Sequence, residues 1–413
     1  MGSLKRRIST TTSAGKDTSY VTTIAGSTYP LYIDQYRGLI YNPDSLPVGT
    51  YVDKVVFSSI SSDGYTTYQT EAGNDTLYSS SDSLDFTNPR IFTCYSYSGL
   101  AKKRYVVSIN VHQVNPELFV WNKEVEGNTQ IAGISSQRAF YKDGKVYVFA
   151  VSSSTPLLLT ASKDTPSSWT SSVLPLTDLD PSTIQLFNDT FYAIQNGKIV
   201  NSDDGISWKK SESTFTPSSF LATGSSYLFA RKGNELYKST DGIIWEKDSI
   251  ESKKEKLPDS NYSSVWMPMS FNSNFEYILL GGTNKTGNVE WKKIIDNKGD
   301  NTEPWNIYES DSDANYPYPS LNNTQMVKYD DKVFAMGTVN DTLSLFYLSS
   351  DGGRTWIPQK SPYLHPNAIK ADNFSWVVDE DNYLWLICGE AGTVWRGRIN
   401  RLGFKENQTS FTE

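Results

Sequence analysis

The stretch S349-S-D-G-G-R-T-W356 is a short polar turn that runs directly into a tryptophan, and the same text recurs along the chain. It returns as Ser202-x-Asp204-Gly205-x-x-Trp208 and as Ser239-x-Asp241-Gly242-x-x-Trp245, and in degenerate form as Ser162-x-Asp164 leading to Trp169. Each copy follows two short apolar runs separated by a Gly or Asn turn, as in DTFYAIQNGKIVNSDDGISW (189–208) and SSYLFARKGNELYKSTDGIIW (225–245). The segment NYLWLICGEAGTVWRGRI (382–399) has the two runs without the turn, and 262–308 follows the plan with an insertion. Six copies of roughly 37–50 residues, each with four short strands, predict a six-bladed β-propeller. The text ELFVWNKE (117–124) matches the outer-strand text ISWKKS (206–211) but precedes the first copy, and the last copy ends near Phe404 without an outer strand. Residues 117–124 are therefore expected to complete blade six and close the ring, which removes the open sheet edges of a linear array. The propeller is expected to occupy 117–413.

The recurring turn resembles the Asp-box of sialidases and many other propellers, which lies at the blade periphery. Its chemistry suits a structural role: the carboxylate accepts amides of its own turn, Gly takes positive φ, and Trp plugs the gap between sheets. Ser202, Asp204, Gly205 and Trp208, then Ser239, Asp241, Gly242 and Trp245, then Ser349, Asp351, Gly353 and Trp356, are expected to be structural.

The start, MGSLKRRISTTTSAG, is basic without an apolar run, and residues 1–18 are expected to be disordered. Residues 19–116 form short alternating strands that end in PRIFTCYSYSGLAKKRYVVSINVHQV, a hairpin turning at Ser98-Gly99. This hairpin resembles the last two strands of immunoglobulin-like and cadherin-like sandwich modules of exported Bacteroidetes proteins, so a small β-sandwich is expected. The fold class is all-β throughout. The whole chain resembles an uncharacterised family of Bacteroidetes exported lipoproteins, which implies export and lipid anchoring at the outer membrane, cell surface or periplasmic face. The lipidated cysteine of that family is absent from this chain, and its members have no established activity to carry over.

Bulk properties narrow the functions. The chain has 413 residues, 13% of them aromatic, and a formal charge of −8 with no broad Lys/Arg face. Nucleic acid is excluded as a partner, because phosphate neutralisation needs such a face. No apolar run reaches the roughly 18 residues of a membrane span. The two cysteines, Cys94 and Cys388, fall in different domains and read as buried apolar residues. With only His112 and His365, neither a histidine triad nor a histidine-rich metal site is expected. DNKGDNTE (296–303) reads as a solvated acidic loop and DEDN (379–382) as a charged hairpin turn. No cofactor, metal or catalytic residue is assigned.

Resemblance to sialidases would require a cluster of three arginines, and Arg138, Arg231, Arg354, Arg396, Arg398 and Arg401 show no such pattern. One segment stands out. The connection 292–320 is longer than its counterparts and carries YPYPS (316–320) and ESDSDA (309–314), while SVWMPMS (264–270) opens the same blade. Trp266, Trp305, Tyr316 and Tyr318 are the ligand-binding candidates, because aromatic faces stack on sugar rings; the alternative is that they pack the blade. The expected function is a non-enzymatic, exported, surface-anchored protein whose propeller recognises a glycan or an envelope protein. The alternatives are a glycoside hydrolase or lyase on the propeller and a structural subunit of a cell-envelope complex.

Overall fold

The computed structural model describes residues 1–11, 16–251, 253–299, 301, 303–308, 316–366 and 369–404, and they are all-β apart from short 3-10 turns. They divide into two units, one running to Leu118 and joined by Gly403 and Phe404, the other spanning Phe119–Leu402.

The first unit corrects the expectation of a disordered start. Ser3–Thr11 pairs antiparallel with Asp17–Ala25. The basic run alternates with residues that need burial: Leu4, between Ser3 and Lys5, is 2% exposed in a core with Phe57, Phe92 and Val107. Arg6 Nε donates to Val48 O at 3.0 Å. Every second side chain faces one side of a strand, so charge and burial coexist in one segment. The other strands form one mixed six-stranded sheet in which Leu39–Tyr41 runs parallel to Lys102–Val107. The hairpin of Arg90–Ser96 with Lys102–Val107 turns through Gly99 at φ 69°. Buried Asn42 and Asn110 staple the unit: Asn110 N donates to Asn42 Oδ1 at 2.7 Å, and Asn42 Nδ2 donates to Asn110 O at 2.9 Å.

The second unit is built of six successive antiparallel sheets. Their first strands are Ile134–Lys142, Gln185–Phe187, Ser219–Thr223, Ser260–Met269, Asn322–Tyr329 and Phe374–Val378. In the first sheet, Val146 to Ala150 are buried on both sides of the strand, because each sheet is covered by two neighbours. Six apolar clusters fill the gaps. Phe149 and Leu158 of the first sheet meet Phe191 of the second, and the pattern repeats between each later pair. The last cluster joins Trp385 and Ile387 of the sixth sheet to Val148 and Trp169 of the first.

The sixth sheet contains Leu384–Cys388, Thr393–Ile399 and, as its outer strand, Phe119–Val125. Ile399 pairs with Phe119 and Gly397 with Trp121. Only a residue without a side chain fits at 397, where an added Cβ would lie 2.3 Å from the Trp121 ring.

The serine–aspartate turns share one hydrogen-bond pattern. Ser202 Oγ donates to Asp204 Oδ1 at 2.9 Å while accepting Gly205 N, and the same Oδ1 accepts the amides of Ile206 and Ser207 at 2.8 and 2.7 Å. Asp241 takes Ile243 and Ile244 in the same way, and Asp351 takes Arg354 and Thr355. The turn at 349–356 is one residue longer, so Ser349 Oγ accepts from Gly353 N. The tryptophans then differ. Trp208 and Trp245 Nε1 donate to the carbonyls of Gly205 and Gly242, whereas Trp356 Nε1 donates to the buried Glu290 Oε2 at 3.0 Å. Gly242 sits at φ 72° with Tyr192 of the preceding sheet against it, so an added Cβ would fall 2.4 Å from that ring.

The amide bonds, with Ser207 foremost, hold the Asp204 carboxyl well below the usual carboxylate range. The Ile243 and Ile244 amides lower Asp241, and at Asp351 burial opposes the shift but Thr355 and Ser349 overcome it. Carboxylates with depressed folded values stabilise the fold above their unfolded value of about 3.9, and that contribution fades as pH falls through the folded values. Ser349→Ala strands the buried Gly353 amide and is expected to lower stability by about 1–3 kcal/mol in urea titration. The urea midpoint of the unaltered protein is expected to fall more steeply on acidification below about pH 4 than that of Asp204→Ala. Gly397→Ala is expected to cost about 1–3 kcal/mol by overpacking, and adding Trp121→Ala in the same chain should recover part of it.

Candidate functional site

The first strand of every sheet in the second unit contributes to one cavity of about 400 Å³. Gln137 to Tyr141 come from the first sheet, Gln185 from the second, Thr223 from the third, Asn261 to Trp266 from the fourth, Gln325 to Lys328 from the fifth, and Trp376 to Val378 from the sixth. Ser182 joins them from the 3-10 turn Pro181–Thr183, which packs on the first strands of the first and fourth sheets. That turn is fixed from two sides. Asp180 Oδ1 accepts Ser182 N at 2.9 Å and Ser182 Oγ at 2.8 Å, and Arg138 Nη1 donates to Ser182 O at 2.5 Å.

Backbone irregularity shapes the wall. The pairing register slips between Ser260 and Ser263 and between Asn322 and Gln325, and the extra residues Asn261 and Asn323 take φ 51° and 49°. Bulges of this kind turn a strand locally and re-aim its side chains, and Asn tolerates the left-handed conformation better than most residues. Both asparagines line the cavity, on adjacent sheets. They escaped the sequence reading; an Asn placed just inside the start of an apolar strand was the available signal.

The lining mixes aliphatic side chains such as Leu186, Val265, Met326 and Val377 with amides, hydroxyls and aromatic rings, and carries the two cations Arg138 and Lys328. Among the described residues that line it there is no Asp or Glu. Burial pulls the half-buried Arg138 guanidinium down to about 10, an effect that Asp180 partly offsets. Lys328, exposed one residue before the buried Tyr329 that ends its strand, forms no ion pair among the described residues. Among the described residues no group of three or more His, Cys, Asp or Glu is placed to hold a metal ion. Asp296 instead closes a local turn by accepting Lys298 N at 2.9 Å, and Asp379 accepts Trp385 Nε1 at 2.8 Å and Arg396 Nη2 at 2.9 Å.

The four aromatic candidates do not form one site. Trp266 lines the cavity and is 38% exposed, on the strand face opposite buried Val265 and Met267. Trp305 is a correction: it is 0% exposed, edge-on to Phe229 at 5.2 Å, and its Nε1 donates to buried Asp248 at 2.9 Å. Asp248 also holds Lys293 at 2.8 Å, so Trp305 belongs to a sealed polar knot between the third and fourth sheets. Tyr318 is packed edge-on against Trp356 at 5.4 Å with its hydroxyl buried. Tyr316 is 47% exposed, but its carbonyl accepts Trp356 N, and it is not part of the cavity wall. The acidic stretch 309–314 lies outside the described residues.

Comparison with known proteins places both parts of the chain. Residues 115–407 match the model described as the DUF6242 beta propeller domain, and residues 1–109 match the N-terminal domain of the same family. No curated protein matches the sequence. Among solved structures, the chain is similar to a structural genomics protein of unknown function from Bacteroides thetaiotaomicron, at 7% identity, 84% of this chain, 93% of that one and TM-score 0.45. It is also similar to the Trichoderma reesei Carbohydrate-Active Enzymes Family AA12 protein, at 7% identity, 68% and 96% coverage and TM-score 0.40. A third is the catalytic domain of Coprinopsis cinerea GH62 alpha-L-arabinofuranosidase, at 10% identity, 69% and 98% coverage and TM-score 0.35.

Packing and lining roles separate by experiment. Trp305→Ala, which empties a sealed position and leaves Asp248 short of a donor, is expected to cost about 3–5 kcal/mol in urea titration. Trp266→Ala is expected to shift stability by less than about 1 kcal/mol, since its ring is partly in water already.

Proposed function

The chain belongs to the DUF6242 family, and from that premise we propose that its propeller domain is a non-enzymatic binding module whose central cavity takes the end of a carbohydrate. The six sheets then act as the six blades of the propeller, the Phe119–Val125 strand closes the ring, and the serine–aspartate turns are its Asp-boxes. The first unit serves as an immunoglobulin-like sandwich that spaces the propeller from the cell. The protein is exported and held at the surface of a Bacteroidetes-type envelope by a lipid anchor, as the sequence resemblance implies.

The observation that carries this reading is the composition of the cavity wall. Trp266 offers an aromatic face that is partly in water, and Asn261, Asn323, Gln325 and Ser264 line the same cavity with it, Gln325 Nε2 being already bonded to Phe374 O. Aromatic stacking with amides and hydroxyls around it is how a protein recognises a ring that is apolar on its faces and hydroxylated at its rim. A pocket of about 300–1,000 Å³ is the usual size for small ligands, which this cavity meets at its lower end. The hydrolase alternative calls for two carboxylates across the scissile bond, and the described lining residues include none.

The test is a glycan array probed with the full chain beside Trp266→Ala. Binding that is lost in the variant, with its urea midpoint preserved, is the expected result. A folded protein that captures no glycan, neutral or acidic, would sink the carbohydrate reading and favour an envelope-protein partner.

A further inference from the structure

We infer that the central cavity selects an acidic sugar, one that carries a carboxylate or sulfate, over its neutral counterpart. This rests on the carbohydrate reading above and adds the charge of the ligand. The geometry points to it through what the wall contains and what it omits. Arg138 and Lys328 come from the first strands of the first and fifth sheets, and both line the same cavity. No carboxylate among the described lining residues neutralises them.

Arg138 is the stronger of the two. Its guanidinium is half-buried, and its recorded hydrogen bond goes to a neutral acceptor, the Ser182 carbonyl at 2.5 Å. The acid whose field reaches it, Asp180, spends its own Oδ1 on the Ser182 amide and hydroxyl and makes no ion pair with Arg138. The Phe140 ring lies 5.2 Å from the guanidinium carbon and walls off one side. A guanidinium removed from water without an anionic partner keeps an unmet charge. Its planar fork also matches a carboxylate or sulfate oxygen pair better than a lone hydroxyl does.

Lys328 supplies the second charge. It is exposed, lies toward the end of its strand, and forms no ion pair among the described residues. As an exposed ammonium on a long stem, it suits a guiding role, while the less exposed, planar Arg138 suits fixing the anion. The rest of the protein works against acidic ligands in general, since the formal net charge is −8. Two cations without ion-pair partners among the described residues, in an acidic chain, therefore make the cavity the place where such a ligand is favoured. Trp266 then takes the ring face, and the neighbouring amides take its hydroxyls.

Calorimetry on the full chain with three disaccharides tests this: one of galacturonic acid, one of galactose 6-sulfate, and one of unmodified galactose. At least one acidic disaccharide is expected to bind about tenfold or more tighter than neutral galactobiose at low salt, with the ratio shrinking at high salt. The comparison of carboxylate with sulfate shows which anion the cavity prefers. Lys328→Ala is expected to narrow the acidic-to-neutral ratio severalfold, with the larger loss on the acidic sugar. Arg138→Gln should narrow it further, with near-ultraviolet circular dichroism reporting that the Pro181–Thr183 turn is still packed. Equal binding of acidic and neutral sugars, or a ratio unmoved by Lys328→Ala, overturns the charge selection and leaves the carbohydrate reading standing. No binding of any of the three by folded protein overturns both.

Discussion

Burial of both faces of every sheet in the second unit is the constraint on which the rest depends. A strand such as Lys145–Ser152, apolar on both sides, is stable only with a neighbour on each. Six sheets meet that need by packing in sequence, and the sixth packs back on the first through Trp385, Ile387, Val148 and Trp169. The pairing of Thr393–Ile399 with Phe119–Val125 ties the two ends of the unit together with backbone hydrogen bonds. Without it, the sixth sheet would present an unpaired edge.

The gaps between sheets are filled unevenly, and polar side chains are drawn in where the tryptophan plugs need partners. Trp208 and Trp245 are satisfied by carbonyls of their own turns. Trp356 uses Glu290 of the neighbouring sheet, whose carboxyl burial pushes well above its usual range. Trp305 uses Asp248, which in turn holds Lys293. An indole N–H buried without an acceptor would be costly, and these four find one either in their own turn or on the neighbouring sheet. The fourth sheet lacks the serine–aspartate turn, and there the matching acceptor is a full carboxylate.

The same ring produces the cavity. The wall draws on all six sheets unevenly, most from the first, fourth and fifth, and two bulged asparagines and one short 3-10 turn form part of it.

The repeating turns, the two-strand text before each, and the stray copy at 117–124 were all readable in the sequence, because strand alternation and turn chemistry are local properties. The hairpin that ends the first unit was readable for the same reason. The order of the first eleven residues is not legible locally, because whether Leu4 finds a core depends on residues such as Phe92 and Val107 far along the chain. The site shows the same division. Sequence singled out the aromatics of the long connection 292–320 and of the upstream stretch 264–270, yet only tertiary packing decided that Trp266 lines the cavity while Trp305 and Tyr318 are sealed between sheets. Arg138, Asn261, Asn323 and Lys328 lie far apart in the chain and acquire a common wall only when the ring closes. The sequence by itself determined the repeating unit, since each sheet is made by neighbours in the chain; the tertiary structure alone decided the cavity, since its wall is made by residues that meet only across six sheets.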